Sequence, residues 1–179
     1  MKFKDFTTAE LADGMKEKNY IPLRPIVGKS FCGLARVLNL EKGDSGLVDE
    51  ALENVEKGDV LIIKTNGSNT AVWGDKKSTR GKSLGLSGVV IDGYARDLDG
   101  LIEIGLPIAA KGVVSFGSGK KNLGKVGGSI VIQNITISDG DYVSCDSGGL
   151  VVIRPNEIDE VLKLSEEKYL KDQEYKNQF

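Results

Sequence analysis

The chain has no histidine among its 179 residues. That removes the commonest general base and the commonest zinc ligand, and it excludes every Ser-His or Cys-His nucleophile pair. Chemistry must therefore run on carboxylate, lysine, arginine, water or a metal. Thiols are scarce as well. Cys32 and Cys145 stand far apart, with neither a disulfide framework nor the close spacing of a metal knuckle, and they suit a reducing compartment. No stretch approaches the roughly 18 apolar residues that a membrane span needs. The polar start Met1-Lys2-Phe3-Lys4-Asp5 carries no apolar run of the kind a secretory signal requires. An excess of one charge is also missing: Lys and Arg total 24 against 26 Asp and Glu, a net charge of −2. Nothing draws the whole molecule to phosphate backbones or anionic lipid. The expectation is a cytoplasmic protein with neither nucleic acid nor membrane as partner, in one domain spanning 1–179.

What is present reads as α/β. Thr7 with Glu10 forms a capping-box pattern, and Phe6 with Leu11 has the spacing of a hydrophobic staple, so a first helix is predicted from about Thr8 to Lys18. Pro22 and Pro25 bar its continuation. Phe31 to Leu40 reads as a strand, and Leu47, Val48, Ala51, Leu52 and Val55 fall on one face of a second helix. Val60-Leu61-Ile62-Ile63 and Gly88-Val89-Val90-Ile91-Asp92-Gly93 are short apolar runs, as strands buried on both faces should be. Between them lie a polar loop, Thr65 to Thr70, and a weakly helical stretch from Ala71 to about Ser83, which together predict a central βαβ unit. The second half is strand-rich: Ile108 to Lys111, Val113 to Phe116, Ser129 to Ile137, Tyr142 to Cys145 and Leu150 to Ile153. Pro155 suits a helical first position, and Ile158, Val161, Leu162 and Tyr169 give the segment from about 155 an apolar stripe. That tail could be a solvated helix or a strut against another subunit.

One motif is a decoy. Gly119-Lys120-Lys121-Asn122-Leu123-Gly124-Lys125 matches the glycine and lysine spacing of a phosphate loop, but Val126 stands where a hydroxyl should hold magnesium, and a strand rather than a helix follows. The informative residues flank the two central strands. Trp73-Gly74-Asp75 follows the first, and Arg96-Asp97 follows the second, at the edge where open α/β sheets bind ligands. Asp75, Arg96 and Asp97 could converge on a ligand or form a structural ion-pair cluster. Gly74 precedes a helix start whose amides at Asp75, Lys76 and Lys77 would suit a carboxylate, Arg96 offers a two-pronged partner for the same anion, and Asp97 is a hard oxygen ligand for magnesium. The set fits a small 2-oxo acid. Trp73 reads as packing and Asp99 as a solvated or capping acid.

With these residues in view, the chain resembles the RraA-like superfamily, which joins regulators of ribonuclease E activity to class II, metal-dependent 4-hydroxy-4-methyl-2-oxoglutarate (4-carboxy-4-hydroxy-2-oxoadipate) aldolases. The resemblance runs from Thr7-Thr8-Ala9-Glu10-Leu11-Ala12-Asp13 through Lys57-Gly58-Asp59-Val60 and Gly88 to Gly93, on to Gly140-Asp141 and Asp146-Ser147-Gly148-Gly149-Leu150-Val151-Val152. The aldolase signature is an Asp, twenty residues, then Arg-Asp, and Asp75 with Arg96-Asp97 meets it. The regulator branch resembles the aldolases in fold but lacks the acid after the Arg. The resemblance implies a swivelling β/β/α-type fold in a homotrimer or hexamer. It implies Asp97 as the ligand of Mg2+ or Mn2+, Arg96 as the grip on substrate carboxylate and developing enolate, and Asp75 as the holder of a water that serves as acid or base. It further implies pyruvate release from 4-hydroxy-2-oxo diacids, with oxaloacetate decarboxylation alongside, and an acid from a neighbouring chain, for which Glu157 and Glu160 are candidates. Lys76 and Lys77 stand where the family usually carries apolar residues. The alternative is a non-catalytic regulator that binds a ribonuclease or another protein. A Schiff-base lysine is the competing chemistry, but no lysine sits alone in an apolar run where its pKa would fall.

Overall fold

The structure is a computed structural model that describes residues 2–179; Met1, the first residue of the polar start, lies outside them. A short 3-10 turn at Phe3–Asp5 leads into α1 (Thr8–Gly14), capped as the sequence predicts: the Glu10 amide donates to Thr7 Oγ1, and the Thr7 amide donates to the Glu10 carboxylate. The helix stops at Gly14, four residues short of Lys18. Instead of extending the helix, Lys18 turns back and its ammonium donates to the Ala12 carbonyl. The chain then forms β1 (Tyr20–Ile21), β2 (Pro25–Val27), β3 (Phe31–Leu40), α2 (Val48–Glu53) and β4 (Val60–Lys64).

The stretch from Ala71 departs from the expected helix. Ala71–Trp73 is a strand, β5, and only at Asp75 does α3 (Asp75–Ser83) begin. The reason is that these three residues are buried and their backbone is claimed from two sides: Phe116 and Ser118 bond Ala71, and the Arg96 amide donates to the Trp73 carbonyl. Next come β6 (Gly88–Ala95), an unanticipated α4 (Leu98–Ile104) and β7 (Ile108–Val113). The two strands expected between Ile108 and Phe116 are thus one, and residues 114–116 are loop. After β8 (Gly124–Val126), the strand expected from Ser129 to Ile137 is a hairpin, β9 (Ser129–Ile132) and β10 (Ile135–Ser138). Gln133 and Asn134 both take positive φ, 48° and 69°, as a tight two-residue hairpin turn demands. β11 (Tyr142–Asp146), β12 (Gly149–Ile153), a 3-10 turn starting at Pro155 and α5 (Ile158–Lys176) complete the chain.

The large sheet has the order β1-β12-β11-β3-β4-β6-β7-β2, with β5 paired to β6 and β8 to β3. The β3–β4, β4–β6, β6–β7 and β5–β6 pairs are parallel, so these strands end on one common edge. Alternation along them feeds two cores. Leu61 and Ile63 of β4 and Val89 and Ile91 of β6 pack with α2 and α4, while Val60, Ile62 and Val90 pack beneath the β9–β10 hairpin. A third cluster joins α1, β12 and α5 through Leu11, Ile153 and Val161. The α/β expectation therefore holds, with a mixed sheet. Among the described residues no helix is long and apolar enough to cross a membrane.

Candidate active site

The common edge of the parallel strands is where the candidate residues gather. β5 ends at Trp73 and β6 at Ala95, and the Arg96 amide donates to the Trp73 carbonyl at 2.9 Å, which locks the two exits side by side. Trp73 is buried and its indole donates to Ser78 Oγ at 2.7 Å, so it is packing. Beyond these exits lies a cleft of about 140 Å3, lined by Gly74, Asp75, Lys76, Lys77 and Arg96, and closed by Ser45 and the 117–120 segment. That is small beside the ~300–1,000 Å3 of sites for drug-sized ligands, and it suits a small organic acid.

Asp97 sits at the margin of this cleft. Its backbone is left-handed, φ 63°, at the N-cap of α4, yet its side chain caps nothing. Its Oδ2 lies 3.1 Å from Arg96 Nε. Left-handed backbone at a non-glycine residue is uncommon and costs free energy, though Asp tolerates it better than most. Here it turns the carboxylate toward Gly74, where a Cβ would fall 2.9 Å from Asp97 Oδ2 and 3.4 Å from Arg96 Cγ. Asp75 begins α3 beside the first turn of α4, its Cβ 3.4 Å from where a Cβ on Gly100 would lie. Its Oδ1 accepts the Lys76 amide at 2.6 Å, so one of the three helix-start amides expected to receive an anion already has a partner.

The lysines divide. Lys77 lines the cleft, but its ammonium is paired with Asp49 of α2, to which Arg80 also donates at 2.9 Å. The hydrogen bond from Lys77 holds the Asp49 carboxyl below its ordinary range, against the opposing effect of burial. Lys76 is exposed and lines the same cleft. Asp99 is exposed in the first turn of α4. Glu157 and Glu160 lie at the start of α5, where Glu160 pairs with Lys16, and neither lines the cleft of its own chain.

Sequence reasoning did not find the 117–120 segment or Ser45. The segment is stitched down by Ser118 N to the Ala71 carbonyl, Gly119 N to the Gly43 carbonyl and Ser45 N to the Gly119 carbonyl, all of 2.8–2.9 Å. Its anchor is Asp44, 3% exposed, whose carboxylate accepts the amides of Gly46, Lys121 and Leu123. Burial alone would raise this carboxyl, but the amides take it below its ordinary value. The loop that mimics a phosphate binder thus spends its amides on a carboxylate of the same chain. Among the described residues no group of three His, Cys, Asp or Glu gathers as a metal cage.

An open α/β edge with Asp75 and Arg96 lining one small cleft, and Asp97 paired to Arg96 beside it, defines the class: an α/β protein with a charged cleft at the ends of its parallel strands. The chain belongs to the RraA-like family, whose description, Aldolase/RraA, matches residues 8–152. A protein of Halalkalibacterium halodurans, named a candidate 4-hydroxy-4-methyl-2-oxoglutarate aldolase, is 30% identical over 142 residues, which cover 79% of this chain and 68% of that protein. A protein of Alkalilimnicola ehrlichii with the same name is 36% identical over 112 residues, covering 62% and 70% of the two chains. Among solved structures, the RNA-processing inhibitor RraA from Thermus thermophilus superposes with a TM-score of 0.78 at 28% identity, over 83% of this chain and 92% of that one.

Proposed function

We propose that this protein is a divalent-metal-dependent lyase that cleaves 4-hydroxy-2-oxo diacids to release pyruvate, with oxaloacetate decarboxylation alongside. The observation that carries this reading is Asp97, an accessible carboxylate held in left-handed backbone that caps no helix and faces the space left by Gly74. One hard oxygen donor beside an open cleft fits Mg2+ or Mn2+, which bind through one or two carboxylates and keep several waters. Asp97 would hold the ion. When bound, such a cation polarises the 2-oxo group and absorbs negative charge as the carbon–carbon bond breaks.

The chain's own residues do the rest. Arg96 uses Nε on Asp97, which leaves the two terminal nitrogens of its guanidinium for the substrate carboxylate and for the charge that develops beside it. In a chain without histidine, Asp75 is the acid that lines the cleft, and it takes the C4 hydroxyl proton through one water. The electron pair of the C3–C4 bond passes to the pyruvate fragment, whose C3 is then protonated. In oxaloacetate the same pair is released by loss of carbon dioxide. A homotrimer or hexamer in the cytoplasm, with Glu157 or Glu160 of a neighbouring copy near the site, accompanies the proposal.

The test follows pyruvate from 4-hydroxy-4-methyl-2-oxoglutarate and from oxaloacetate. Release should stop with EDTA, return with Mg2+, fall at least about 10³-fold in Asp97→Ala and about 10²–10³-fold in Arg96→Ala. Pyruvate formation indifferent to Asp97→Ala, or absent with every substrate, overturns the reading. A second reading, a non-catalytic regulator that binds a ribonuclease, is favoured by the likeness to the Thermus RNA-processing inhibitor. It predicts partner binding unaffected by chelator and by both substitutions.

A further inference from the structure

We infer that Lys120 and Lys76 form the specificity subsite for a second carboxylate on the substrate, beyond the bond that breaks; the inference rests on the keto-acid reading of the cleft. The charged side chains lining the cleft are Asp75, Lys76, Lys77, Arg96 and Lys120. Two of the four cations have a carboxylate beside them: Lys77 pairs with Asp49, and Arg96 gives Nε to Asp97 while its terminal nitrogens serve the first substrate carboxylate. Among the described residues, Lys76 and Lys120 have no carboxylate within ion-pair distance, and the one acid in the lining, Asp75, already accepts a backbone amide. A 2-oxo acid with one carboxylate is matched by Arg96 alone. Two lysines then remain in the lining of the same small cleft, and a second anionic group on the substrate is what would match them.

The backbone on both sides of Lys120 is held in place. The residue before it and the residue after it are fixed, Gly119 N to the Gly43 carbonyl at 2.8 Å and Lys121 N to Asp44 Oδ2 at 2.5 Å. Ser118 is tied through its hydroxyl to Thr70 at 2.7 Å. With the backbone already ordered, binding would cost only the ordering of the side chain itself and not that of the loop. Lys76 is likewise set by the first turn of α3. The two lysines come from separate elements, α3 and the 117–120 segment, and both line this cleft.

The test measures binding of two uncleavable acids to the Mg2+-loaded protein by calorimetry: 2-oxoglutarate, with two carboxylates, and 2-oxobutanoate, with one. The wild type should favour 2-oxoglutarate at least tenfold. Lys120→Ala and Lys76→Ala should each weaken 2-oxoglutarate about tenfold, about 1.4 kcal/mol, while shifting 2-oxobutanoate less than twofold; Lys120→Arg should restore the preference. Equal affinities in the wild type, or lysine variants that weaken both acids alike, overturn the subsite and leave the keto-acid reading standing. Failure of both acids to bind overturns that reading, and this inference with it.

Discussion

Gly74 has extended backbone, φ −155°, so no dihedral requirement calls for glycine there. What it supplies is room for Asp97, because an added Cβ would stand 2.9 Å from the carboxylate oxygen. That oxygen ends a short side chain and can swing aside, so Gly74→Ala should fold normally, with stability within about 1 kcal/mol of wild type. The carboxylate would be displaced, however, and a shift approaching 1 Å at a reacting centre costs up to about 100-fold. The expected result is a drop of about 10–100-fold in pyruvate release with a melting temperature within about 4 °C of wild type; full activity would mean that Asp97 does not act where it now stands. Arg96 and Asp97 were legible in the chain because the end of an apolar strand is a local signal, and Asp75 through its spacing from them and the helix start after Gly74, although the strand before it was not. The left-handed backbone of Asp97 and the capture of Lys77 by Asp49 were not, since each depends on what another element brings alongside. The same holds for Cys145, whose thiol is pushed up to about 12 by burial that only the packed sheet creates.

Among the elements, the segment after β7 separates what pattern can reveal from what it cannot. Glycines and lysines from 119 to 125 mark a loop that wraps something, and the structure identifies it as the Asp44 carboxylate. Removing that acceptor should loosen the wall of the cleft: Asp44→Ala is expected to cost about 2 kcal/mol at pH 7, because buried amides lose a charged partner. The pH dependence has a definite sign. The folded carboxyl lies below its unfolded value of about 3.9, so Asp44 contributes its full stabilisation above that value and loses it as pH falls through the lower, folded one. Urea unfolding of wild type and variant should therefore converge as pH drops from 5 toward 2, whereas a constant gap would remove the carboxylate from the account. β5 and the β9–β10 turn escaped the sequence for a related reason. Ala71–Trp73 is too short for a period to register, and Gln133-Asn134 is not among the strongest glycine-bearing turn pairs.

For the whole molecule, the sheet serves as a wall between two cores, and the double burial of β4 and β6 follows from their unbroken apolar runs. That much of the architecture was readable, as was the final helix from its proline and its stripe. How the helix is anchored was not, because the stripe continues in weakened form beyond the region that packs. Val161 and Ser165 are the buried residues of α5, Tyr169 meets Phe6 edge-on at 6.2 Å, and none of residues 171–179 is buried. The anchor is its first half, pressed against Gly14 at the end of α1, where a Cβ would stand 2.8 Å from the Val161 carbonyl oxygen and 2.7 Å from Ser165 Oγ. Backbone cannot swing aside as a side chain can, so Gly14→Ala must push the two helices apart, at about 1–3 kcal/mol. Deleting 171–179 removes exposed turns and should move the melting temperature by less than about 3 °C, the shift expected for under 1 kcal/mol at this chain length. If the deletion proved the more damaging change in the isolated chain, the apolar stripe of α5 would have to find its partner along its outer half. In an assembly of several copies, the same comparison would show whether that half braces a neighbour: the truncated chain would then keep its fold and lose its oligomer.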